Sequence, residues 1–304
     1  MTINSHSSYP RIHNFGKKAF VVAVIAPAII FFLIWFYWPI VSTLWMSFTN
    51  TNTYNPRAAT FIGLENYIKL VSRPTTWLII GNTITFAVLT VVGQLLMGLA
   101  IALMLESITK GRTFFRTIYF VPFITDMAAV SLMWKWLYQP RFGLINLALD
   151  ALHLPTQMWL DDPKLALASI IVMSIWQGMG YSVVILLAGL GGIPREYQEA
   201  ASIDGANVWN RLILIKLPLL RPALAFLTVA GMVNGMQIFT QVAIMTQGRP
   251  FDTTRTIVYE IFEKGFRNSP PIGGYASALS MILFVAILGF SFFQMRMLST
   301  SWEY

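Results

Sequence analysis

Apolar residues run almost unbroken through six stretches of the chain, at roughly 19–46, 78–105, 115–138, 165–190, 218–246 and 272–296, with polar segments between them. Each exceeds the ~20 residues of helix that cross a bilayer, so the pattern predicts an all-α, polytopic membrane protein with six transmembrane helices. The first run continues from Ala19 past Trp45, longer than the about 7–15 residues of a secretory signal's apolar region, and reads as a retained span. Pro27 and Pro39 are expected to kink it. Trp35, Tyr37, Trp38 and Trp45 toward its far end suit an interfacial aromatic belt.

Composition supports this reading. Of 304 residues, 56% are hydrophobic and 11% charged, against about 25% charged in soluble domains. No cysteine occurs, so disulfides and thiolate chemistry are excluded, and His6, His13 and His153 form no metal-ligand pattern. The net charge of +8 is spread singly through loops, without the stripe that nucleic acid requires. Of the 21 basic residues, eleven (Arg11 and Lys110 among them) fall in inner segments if the N-terminus is cytoplasmic. Nine, including Arg57, fall outside, and Lys135 lies within the third span. That asymmetry is weak, but the basic tail before the first span favours an N-in topology, which returns the C-terminus to the cytoplasm. The outer loops, about 25 to 30 residues each, leave room for short interfacial helices.

The longest inner segment, Gly191 to Leu224, reads GGIPREYQEAASIDGANVWNRLILIKLPLLRPAL. Pro194 can start a helix over Arg195–Ile203, Gly205 can end it in the left-handed conformation, and helical spacing resumes over Val208–Leu217. Apolar Tyr197, Ala200, Ala201 and Ile203 alternate with Glu196, Glu199 and Asp204, giving a small amphipathic surface suited to a partner's cleft.

Glu199-Ala200-Ala201, Asp204-Gly205-Ala206, then Leu217-Pro218 and Pro222 closely resemble the EAA loop of permease subunits of binding-protein-dependent ABC importers, in the same place between the fourth and fifth spans. FIGLENY at Phe61–Tyr67, RTIYFVPF at Arg116–Phe123, PRFGLIN at Pro140–Asn146 and TQGRP at Thr246–Pro250 extend the resemblance to the carbohydrate branch, related to the maltose and glycerol-3-phosphate importers. In TQGRP, Arg249 stands where that branch has a second glycine. The resemblance implies a type I ABC importer transmembrane domain. Its parts would be a cytoplasmic tail at 1–18, the first helix and first periplasmic loop at 19–74, a permease core at 75–297 with the coupling loop at about 194–222, and a tail at 298–304. It further implies a second homologous permease subunit, two copies of an ABC ATPase subunit carrying ATP and Mg, an extracytoplasmic binding protein and a carbohydrate cargo, all at a bacterial-type inner membrane. Glu199, Ala200, Ala201, Asp204, Gly205, Ala206 and Pro218 would then dock on the ATPase.

The residues themselves supply no catalytic apparatus. No phosphate loop, HExxH or nucleophile-elbow serine occurs, so no cofactor, metal or catalytic residue is assigned to this chain and ATP hydrolysis is expected in trans. Polar groups within spans face a cavity or another helix. Asn82, Gln94, Asp126, Gln177, Asn234, Gln237 and Gln241 are such groups, with Phe123, Trp176 and Tyr181 near them in sequence. A substrate pathway over Phe123, Asp126, Trp176, Gln177, Tyr181, Asn234, Gln237 and Gln241 fits sugars, which need amide or carboxylate hydrogen bonds and a stacking surface. Helix–helix hydrogen bonding is the competing role. Asp126 stands out as an unpaired carboxylate within a span, and Asn234, Gln237 and Gln241 share one face of a continuous helix at i, i+3, i+7. A phosphate ester, polyol or acidic saccharide is the alternative cargo. An ion-coupled secondary transporter, which would show carboxylate clusters and broken helices, is a more distant alternative.

Overall fold

The computed structural model describes residues 14–55, 59–108 and 111–298. Most of the two expected tails, with Arg11, Arg57 and Lys110, lies outside them. Helices dominate, and among the described residues the only extended pairings are isolated bridges such as Thr49 with Phe61.

The first span is α1 (Asn14–Phe32) and α2 (Trp38–Ser47), joined by a π-turn at Leu33–Tyr37. The turn falls just before Pro39. A proline contributes no N–H, and widening the turn lets the Trp38 N–H reach the Leu33 carbonyl instead. Phe20–Ser47 shows no buried residue in its most apolar window, and Trp35 and Trp38 stand on the outside.

After α3 (Glu65–Ser72), the 34-residue α4 (Pro74–Ser107) is the central rod. It packs along α8 (Ala166–Gly191) and α12 (Arg221–Met236), while α5 (Arg112–Ile124) lies on α8 and the terminal α15 (Gly273–Leu298) packs on α2. One core cluster comprises Ile101, Leu105, Val183, Leu186, Leu190 and Leu220. Two further clusters gather around Phe86, Ile170 and Val242, and around Leu70, Ile79 and Leu279.

Two expected spans are broken. The third consists of α5 and α6 (Met127–Leu137), bent by 95°. Pro122 withholds a backbone donor near the end of α5, Thr125 is extended, and the Asp126 carboxylate then accepts from the Ala128 and Ala129 N–H groups at 2.9 and 3.2 Å. Asp126 is therefore the N-cap of a new helix, a role that contributes about 1 kcal/mol, and not an unpaired charge inside a continuous span. Lys135, toward the end of α6, donates its ammonium to the Ile244 carbonyl at 2.9 Å. The fifth span stops at Met236, turns through Gln237–Phe239, and resumes as α13 (Thr240–Met245). Among the described residues four helices are long and apolar enough to cross a membrane alone, and up to six crossings result if two bent pairs each count as one, the α5–α6 pair and Val208–Leu219 with Arg221–Met236, which meet at 65°.

The loops after the first, third and fifth expected spans carry the short helices α3, α7 (Leu144–Ala151) and α14 (Ile257–Phe262). Motif asparagines anchor two of these loops. Asn66 donates to the Ser47 and Thr49 carbonyls at 2.9 and 2.8 Å, and Asn146 donates to Pro140 and Gln157 carbonyls while accepting from Gln157 N–H and the Trp159 indole. Both are buried. A third anchor is Arg255, which hydrogen-bonds buried Glu260 at 2.8 Å and makes ion contacts with Asp252 and Glu263. Burial acts to lower the Arg255 pKa, but the bond to Glu260 and the three carboxylate charges outweigh it and raise it.

Candidate functional site

Two regions hold the residues singled out by sequence. The first is α9 (Arg195–Ile203), followed by α10 (Val208–Arg211), a π-turn at Leu212–Lys216 and α11 (Leu217–Leu219). None of these elements contains a buried residue. The end of α9 is set by Gly205 at φ +80, which allows the Ala206 N–H to bond the Ala201 carbonyl at 2.8 Å and the Gly205 N–H to bond Ser202 at 3.2 Å. This is the paired bonding of a Schellman ending, which needs the left-handed residue. Asn207 then caps α10 through its side chain, accepting from the Asn210 N–H at 2.8 Å. The result is a tight elbow that leaves Tyr197, Glu199, Ile203 and Asp204 exposed, with Ile203 at 87%. Pro218, in α11, is half-buried where the chain turns back toward α12.

The second region is a cavity of about 490 Å³ between α4, α5, α8, α12 and α13. Phe123, Gln177, Tyr181, Asn234, Gln237 and Gln241 all line it. The Phe123 and Tyr181 rings stack at 5.0 Å with 20° between their planes, giving a flat aromatic wall. Asn234, Gln237 and Gln241 converge because the helix breaks at Gln237, and not because they share a face of one continuous helix. Their amides make no protein hydrogen bond among the described residues. Gln177 and Gln94 differ: Gln177 donates to the Phe123 carbonyl at 3.3 Å and Gln94 to the Ser174 carbonyl at 2.9 Å, the helix–helix role. Asn82 likewise ties α4 to the Asp252 and Arg255 carbonyls.

Two expected pathway residues stand apart from this wall. Asp126 caps α6, and Trp176 packs 5.5 Å from Trp134 within the apolar core. Thr90 and Ser174, not anticipated, border the cavity with buried hydroxyls that lack a hydrogen-bond partner among the described residues. Small hydroxyls in spans ordinarily bond back to their own helix, so sequence gives no signal that separates these two. Among the described residues no Asp, Glu, Lys or Arg lines the cavity. A neutral wall with free amides and an aromatic plate can hydrogen-bond and stack a polyhydroxylated ring, while offering no countercharge to an anion.

The family described as binding-protein-dependent transport system inner membrane component matches residues 18–299. A probable ABC transporter permease protein of Pyrococcus horikoshii is 32% identical over 88% of this chain and 92% of its own. The trehalose/maltose transport system permease protein of Thermococcus litoralis is 30% identical, covering 88% and 90% respectively. An sn-glycerol-3-phosphate transport system permease protein of Agrobacterium fabrum is also 30% identical, covering 93% and 95%. Among solved structures, a bacterial ABC transporter involved in import of the acidic polysaccharide alginate superposes with a TM-score of 0.82 over 95% of this chain and 98% of the other. At 23% identity that likeness establishes the fold.

Proposed function

From the premise that this chain belongs to the binding-protein-dependent transport system inner membrane components, a family of non-catalytic membrane subunits of ABC transporters, we propose that it forms half of the translocation pathway for a neutral carbohydrate. The exposed segment Arg195–Leu219 carries this reading. A capped helical elbow without a single buried residue, touching the core cluster only at its end through Leu219, adds little to its own chain's core, and its amphipathic surface fits a partner's cleft. In this reading Glu199, Ala200, Ala201, Asp204, Gly205, Ala206 and Pro218 form the contact with an ATPase subunit that supplies ATP and Mg. Two ATPase copies, a second homologous permease and an extracytoplasmic binding protein complete the importer, and both termini face the cytoplasm.

Relatives whose names include trehalose/maltose and multiple-sugar transport support a carbohydrate cargo. The uncharged cavity favours a neutral one over the phosphate ester or acidic saccharide that basic outer loops would attract. Broken helices, a feature of ion-coupled carriers, are present, but the carboxylate that would hold the ion caps α6 and is absent from the cavity wall.

The test is uptake by the complete transporter with its binding protein in proteoliposomes. Neutral di- and trisaccharides should be accumulated in an ATP-dependent manner, and glycerol-3-phosphate and uronate oligosaccharides should not compete. Competition by the anions at comparable concentrations would overturn the neutral assignment. Gln237→Ala should raise the KM for the transported saccharide roughly tenfold, as expected from one or two lost hydrogen bonds, with the ATP hydrolysis rate retained. Asp126→Ala should leave that KM unchanged, since it only weakens a helix start.

A further inference from the structure

Lys216 and Glu106 lie 110 residues apart in sequence, yet their side chains form an ion pair at 2.7 Å with only 18% and 22% of each exposed. Lys216 closes the π-turn between α10 and α11, within a segment that has no buried residue. Glu106 sits in the last turn of α4. A carboxylate there faces the partial negative charge of the helix C-terminus, so helix stability does not explain it. Glu106 borders two open clefts of about 390 and 550 Å³, one lined also by Val208 and Leu212, the other by Glu199 and Ser202. Leu219 packs the end of the elbow on the core cluster, while around Glu106 these two clefts, which share Gln198 and Arg211 in their walls, separate the elbow from α4.

At its other side α4 reaches the central cavity, where Phe86, Thr90 and Gln94 form part of the wall. Gln94 and Glu106 are separated by about 18 Å of unbroken helix, and helices move as rigid rods. We infer that the Lys216–Glu106 pair is a mechanical latch through which displacement of the coupling elbow is passed to α4 and so to the cavity. Lys216 and Glu106 are positioning residues, touching neither nucleotide nor cargo. The π-turn contributes by swinging Lys216 toward α4 just ahead of Pro218.

This inference rests on the proposed importer function, and one experiment separates the two. The chain has no cysteine, so Ala230→Cys, in the cavity wall, gives a single reporter once partner cysteines are replaced. In the assembled transporter, ATP with vanadate should change the rate at which a water-soluble maleimide alkylates that site by at least about fivefold. Glu106→Gln and Lys216→Gln should each flatten this response while ATP hydrolysis continues, and the charge swap Glu106→Lys with Lys216→Glu should restore it. A full response in both amide variants overturns the latch, as does failure of the swap to restore it. Loss of assembly in both amide variants also overturns it, assigning the pair to folding. A flat response in the unmutated reporter complex overturns the importer reading itself.

Discussion

Gly205→Asp is expected to reduce uptake to below about a tenth of the wild-type rate while the protein still inserts and assembles as a folded membrane subunit. A Cβ added at Gly205 meets nothing within 4 Å, so the chain itself has room. The internal cost is confined to the left-handed conformation at φ +80, about 1–2 kcal/mol for a residue with a side chain and less for aspartate. Docking is different. A carboxylate carried into a partner's cleft without a countercharge costs about 3 kcal/mol or more. Gly205→Ala therefore serves as the control, bearing the backbone strain without the charge and retaining most of its transport. Glu199→Lys should resemble Gly205→Asp, because Glu199 is exposed and has no partner within the described chain. Wild-type uptake by both variants, with membrane levels confirmed by quantitative blotting, would remove the coupling role of the elbow.

Gly180→Val should act at a different level, sharply reducing the yield of folded protein. A Cβ at Gly180 would overlap the Tyr119 carbonyl oxygen and approach the Tyr119 carbonyl carbon at 3.0 Å and the Phe120 Cα at 3.1 Å. All three are backbone atoms of α5, and none can yield without moving that helix off α8. Overpacking of this kind costs about 1–3 kcal/mol, or more where backbone must shift. It also acts one residue from Tyr181, so the Phe123–Tyr181 plate would part even in molecules that fold. Gly81→Ala, within α4, provides the contrast. Its Cβ would meet nothing within 4 Å. Size-exclusion profiles of fluorescently tagged variants in detergent should show the monodisperse peak falling about tenfold for Gly180→Val and unchanged for Gly81→Ala. Equal profiles would mean that α5 is free to shift.

The elbow was legible in sequence because its determinants are local. Pro194 and Gly205 fix a start and a left-handed stop, each acting through the backbone of its immediate neighbours, whereas the new cap at Asn207 emerged only from the structure. Membrane character was equally legible, since a bilayer demands only a long apolar run. The same reasoning misread Asp126, because hydropathy averages over a window and does not register one carboxylate accepting two backbone N–H groups.

What sequence determined by itself was therefore the helical membrane character and the local geometry of the elbow at Arg195–Gly205. The tertiary structure decided which polar groups face a common space. Gln94 and Gln177 are spent on carbonyls of neighbouring helices, whereas Asn234, Gln237 and Gln241 remain free around a break. It also decided that Lys216 meets Glu106. Such outcomes depend on how helices distant in the chain pack, and an amide or a lysine has the same local signature whether its partner is another helix or an open cavity.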